Sequence, residues 1–167
     1  MYTLRCTAAL LHRLQAPTPT GSGSEPAPTT ALGDWYANRL NIGRHRLVLC
    51  TNERSLLSVV VPAKDLPQLP ARLITSLGRL FLRIGVPPAL AWAELQAMQE
   101  VRFGPTRSRS ILGSMNDFVI QVDAEFSRDV EIVYLDGVDL RLSEVPCGPL
   151  KYRNPAEVAL ELITRAA

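Results

Sequence analysis

The sequence predicts an α+β fold: a single domain over residues 1–167, with an antiparallel sheet of three to five strands packed against four to six helices. Three observations support this. Residues 34–62 read as short apolar strands separated by tight turns, which is the pattern of an antiparallel meander. From Leu66 the apolar residues change to helical spacing. A chain of 167 residues, 47% apolar and 20% charged, has the length and composition of one domain with a buried core.

In "YTLRCT", Tyr2, Leu4 and Cys6 alternate with Thr3 and Arg5, which predicts a strand with one side buried. Thr7 is placed to cap a helix over 8–15, with Leu10, Leu11 and Leu14 inward. Residues 15–31, "QAPTPTGSGSEPAPTTA", have no aromatic or large aliphatic side chain to offset the entropy of ordering, and predict a flexible loop within the domain. In "LGDWYANRLNI", Tyr36, Asn38 and Leu40 alternate with Trp35, Ala37 and Arg39. Gly43-Arg44 then supplies a turn, "HRLVLCT" a strand, "NERS" a second turn and "LLSVVVPA" a third strand. Arg39, Arg44, Arg46 and Arg54 make one face or edge of this meander basic.

Leu66, Leu69, Leu73, Leu77, Leu80, Phe81 and Ile84 form one stripe of a helix that Gly85 ends. "VPP" opens a second helix over 87–99, expected to turn Trp92, Leu95 and Met98 inward, and "EVRFGP" is a short extended piece. A third helix begins near Ser110. Its Ile111, Leu112, Met115, Phe118, Val119, Val122 and Phe126 define a buried face, while Ser110, Ser114, Asp117 and Gln121 share a polar stripe. "DVEIVYLDG" fits a strand or a helix, and "VDLRLSEVPCGPL" a short helix stopped by Pro146. In "NPAEVALELITRAA", Asn154 caps the last helix, with Pro155 in its first turn and Glu157 three residues after the cap.

Net charge is +2, unevenly spread: residues 1–113 carry 13 Lys/Arg against 6 Asp/Glu, and residues 114–167 carry 5 against 10. Either the two parts meet in the fold or the basic part faces an anionic partner. The opening "MYTLRCTAAL" lacks the basic start and long apolar core expected of a signal peptide, and "SLLSVVVPA" is too short to span a bilayer. Cys6, Cys50 and Cys147 have neither zinc nor disulfide spacing, so three reduced thiols in a cytoplasmic protein are expected.

"YTLRCT", "LGDWYANRL", "TNERSLL.VVVP", "RSILGSMNDF" and "PCGPL" together resemble a family of small bacterial proteins described only as a domain of unknown function. The resemblance covers nearly the whole chain outside residues 15–31. It implies a bacterial setting and brings no activity, cofactor or catalytic residue.

No phosphate loop, dinucleotide fingerprint, nucleophile elbow or zinc histidine pair is present, and neither metal nor cofactor is expected. The segment "RSRSILGSMNDF" carries the local chemistry. Arg107 and Arg109 precede a helix N-terminus, Ser110 adds a hydroxyl, and Ser114 and Asp117 continue the polar stripe, an arrangement suited to a phosphate or carboxylate. Gly113 beside the stripe fits either a close ligand or a tight helix crossing. Trp35 and Tyr36, with Arg39 nearby, offer rings for base stacking. The resulting expectation is a binding protein that engages nucleic acid or another phosphate-bearing partner through a basic surface. One alternative is a metal-independent ribonuclease of toxin–antitoxin type using Arg, Tyr36 and His45; the other is a protein–protein adaptor.

Overall fold

The computed structural model describes residues 1–16, 25–127 and 134–167. Strand β1 (Tyr2–Cys6) leads into helix α1 (Ala8–Leu14), and β2 (Trp35–Ile42), β3 (His45–Asn52) and β4 (Ser58–Pro62) follow. A 3-10 turn (Leu66–Gln68) opens onto α2 (Leu69–Arg83), then α3 (Pro88–Ala97), β5 (Val101–Pro105) and α4 (Arg109–Ser127). The chain closes with α5 (Leu135–Glu144), a 3-10 turn (Gly148–Leu150) and α6 (Pro155–Arg165). The fold is α+β. Part of the 15–31 loop and the start of "DVEIVYLDG" lie outside the described residues.

The five strands are ordered β4-β3-β2-β1-β5. β2, β3 and β4 form the expected antiparallel meander, with Ile42 opposite His45 and Leu49 opposite Val60. The sheet as a whole is mixed, not antiparallel, because β1 pairs in parallel with both β2 and β5. Tight turns enforce antiparallel pairing only where they join neighbours. β1 reaches β2 through α1, and β4 reaches β5 through α2 and α3, and crossings of that length allow parallel strands.

Helices cover both faces. On one, Tyr2, Leu4, Cys6, Trp35, Ala37, Val48, Cys50, Val59 and Val61 join Leu10 of α1, the stripe Leu69, Leu73, Leu77, Leu80 and Phe81 of α2, Ala91 of α3, and Ala159 and Ile163 of α6. On the other, Tyr36, Leu40, Ile42, Leu47, Leu49 and Val60 pack against Met115, Phe118 and Val122 of α4 and Val138 and Leu142 of α5. Helix α5 runs beside the edge strand, where Asp139 Oδ1 accepts the Val60 N–H at 2.7 Å and satisfies a donor the sheet leaves unused.

Helix α3 is rotated from the expected orientation. Trp92 is exposed while Ala91, Glu94 and Met98 are buried. Glu94 is accommodated because its two carboxylate oxygens accept the Ala31 and Leu32 N–H groups at 2.7 and 3.0 Å. Thr7 stands at the N-cap of α1, but its hydroxyl contacts Asn38 Oδ1 instead of capping the helix. Gly85 has the left-handed φ of +80° expected past the end of α2, and Asn154 accepts the Glu157 N–H at 2.8 Å.

Candidate functional site

Helix α4 lies over β2 and β3, so the Thr3–Arg5 part of β1 on that face is covered by side chains and by the segment Glu25–Pro28. There Arg5, Glu25, Pro26, Ala27, Pro28, Asp34, Glu53 and Arg107 line a cleft of about 550 Å³.

The sheet register explains the meeting. Arg5 sits between Tyr36 of β2 and Gly104 of β5. A Cβ on residue 104 would press on Thr3 Cγ2 at 3.3 Å and touch Arg5 Nη1 at an ordinary 3.7 Å. Asp34 ends the approach to β2 and accepts the Thr3 N–H through Oδ1 at 2.9 Å and Arg5 Nη2 through Oδ2 at 2.6 Å. Asn52 fixes that corner: its Nδ2 donates to the Leu32 and Asp34 carbonyls, and its Oδ1 gathers the Arg54 and Ser55 N–H groups. The next residue, Glu53, accepts the Asp34 N–H at 3.3 Å. Glu25 Oε2 lies 2.7 Å from Arg5 Nη2 and 3.0 Å from Arg107 Nη2. Two arginines and three carboxylates give the cleft a formal charge of −1.

Burial sets the electrostatics. Arg5 is 1% exposed, and its Nε and Nη1 find no hydrogen-bond partner among the described residues. Burial pushes the Tyr36 phenol above its ordinary range, while Arg5 and the Ser108 backbone N–H pull it back. The cysteines are free and buried, and burial pushes the Cys6 thiol up to about 12, which makes it a poor nucleophile. No group of three potential metal ligands occurs among the described residues.

Of the residues picked out in the sequence, Arg107 lines this cleft, with its charge matched by Glu25 and, at 3.8 Å, Asp34. Ser108 supplies the α4 cap, its Oγ accepting the Ile111 N–H. Arg109 and Ser110 are exposed, and Arg109 has no ion pair among the described residues. Ser114 is buried and Asp117 exposed, and neither lines the cleft. A Cβ added at Gly113 would meet nothing within 4 Å, so no tight helix crossing is present there among the described residues. Trp35 and Tyr36 are both buried, on opposite faces, and neither ring is open for stacking. His45 packs its ring 4.8 Å from Phe126, six residues along the hairpin from Tyr36, or about 20 Å. That separation keeps Tyr36 and His45 out of one catalytic site.

Sequence patterning does not single out Arg5, Glu25, Asp34 or Glu53. Alternation places Arg5 on the outward side of a half-buried strand. Its position is buried because the second face of the sheet is covered as well.

The chain belongs to the family described as a domain of unknown function, DUF6933, whose model matches residues 3–158. No curated protein and no solved structure matches it.

Proposed function

We propose that this DUF6933 member is a binding protein that engages a phosphate-bearing partner, nucleic acid, through the β2–β3 hairpin. The supporting observation is a patch of positive charge without acidic neighbours in its own hairpin. From Trp35 to Asn52 there is no Asp or Glu, while Arg39, Arg44 and Arg46 are present. Arg44 and Arg46 are exposed, Arg39 is half-buried, and none of the three has an acidic partner among the described residues. Arg39 opposes Val48 and Arg46 opposes Asn41, so Arg39 and Arg46 are diagonal neighbours on one face. Like charges so placed repel, and an anionic polymer relieves that repulsion.

The test is fluorescence anisotropy with a short single-stranded RNA and a DNA duplex as salt is raised, with the same RNA run on a gel. Salt-sensitive retention of intact strands supports the reading. Cleavage without added metal would overturn it in favour of a ribonuclease, and neither retention nor cleavage at low salt would leave a protein–protein adaptor in its place.

A further inference from the structure

We propose that Arg5 and Arg107 form a receptor for a small carboxylate, and that Glu25 is the chain's own occupant of it. This site is separate from the hairpin arginines, and its test does not depend on nucleic-acid binding. Glu25 Oε2 bridges the two guanidinium groups at 2.7 and 3.0 Å, as a bound carboxylate would. Glu25 and Asp34 both crowd onto Arg5 Nη2, and the buried Nε and Nη1 of Arg5 are left without partners among the described residues. Arginine binds carboxylates best through two parallel N–H groups, and Glu25 uses only one of Arg5's nitrogens. A carboxylate free of the backbone can take the place of Glu25 between Arg5 Nη2 and Arg107 Nη2. About 550 Å³ of cleft is in the range of small-ligand sites.

Charge selects the ligand. With the Glu25 side chain displaced, Arg5 and Arg107 are balanced by Asp34 and Glu53. A monoanion restores the present balance, whereas a phosphate dianion adds a further negative charge beside two carboxylates. The ligand class is therefore a monocarboxylate, whether a small acid or the C-terminal end of a peptide.

The experiment follows the arginine Nε–Hε resonances of the full chain in ¹⁵N spectra during titration with sodium acetate, and with phosphate at matched ionic strength. Glu25→Gln, which removes the internal competitor's charge, is expected to half-saturate at roughly tenfold lower acetate than the native protein, a gain of about 1.4 kcal/mol. Phosphate should bind more weakly than acetate, and Arg107→Ala should abolish the response. Equal acetate affinity in native and Glu25→Gln proteins, tighter binding of phosphate, or a response untouched by Arg107→Ala would overturn the proposal. If Glu25→Gln does not fold, the native titration decides alone: an Arg5 Nε–Hε shift at high acetate that Arg107→Ala removes supports the site, and its absence refutes it. A short peptide that binds better with a free than with an amidated C-terminus identifies a chain end; equal binding of the free peptide and acetate identifies a small acid.

Discussion

Arg5 is a cation inside the fold, and Asp34 is the partner that makes its burial tolerable, because Asp34 also holds the Thr3 N–H. Removing one member of a buried ion pair leaves the other charge uncompensated. Asp34→Ala is therefore expected to lower stability by about 3–5 kcal/mol in urea unfolding. Arg107→Ala should cost under about 1 kcal/mol, since Arg107 is more than half exposed and water replaces its partners. Equal losses from the two substitutions would mean that Arg5 is not the centre of the cluster. Only part of this site is legible in the sequence. Arg107 stands out beside a helix start. Arg5 does not, because alternation in a five-residue strand separates two sides without saying whether the second is covered. Trp35 and Tyr36 show the same limit: their alternation assigns them correctly to opposite faces, but not to two buried ones.

At the scale of elements, the docking of α5 against β4 places a carboxylate in the interior. Burial pushes Asp139 from its ordinary 3.8 up to about 8, opposed by the Val60 N–H. The folded state thus holds this proton more tightly than the unfolded chain does. The stability it contributes is complete below pH 4 and is lost as pH rises towards 8, by up to about 1.4 kcal/mol per pH unit. Asp139→Asn keeps an acceptor for Val60 and removes the titration. Its stability relative to the native protein should therefore rise steadily from pH 5 to pH 8 in urea unfolding. A difference that stays constant over that range would show that Asp139 remains ionised in the interface. The helical stripes of α2 and α4, the cap of α6 and the β2–β4 meander are readable because each rests on local spacing and local turns. The parallel pairing of β1 is not, because it depends on a crossing between strands distant in sequence. The exposure of Trp92 escapes the sequence for a related reason: the buried face of α3 is set by Glu94, which binds the backbone of a segment more than 60 residues away.

For the whole molecule, the basic and acidic parts of the sequence meet only in part. Arg79 contacts Asp136, and Arg83 donates to the Asp136 carbonyl, joining α2 to α5. Arg107 instead turns to Glu25 and Asp34, both in the basic part of the chain. Arg39, Arg44 and Arg46 have no acidic partner among the described residues, and the partner proposed for them carries phosphates. The most direct measurement is the slope of log affinity against log salt for single-stranded RNA, in the native protein and in an Arg39→Ala/Arg44→Ala/Arg46→Ala variant with an unchanged melting temperature. Each arginine that neutralises a phosphate steepens this slope by about 0.7, so the triple variant should be flatter than the native protein by about 2. An unchanged slope in the triple variant, or no retention by the native protein at low salt, would mean that these arginines do not bind phosphates.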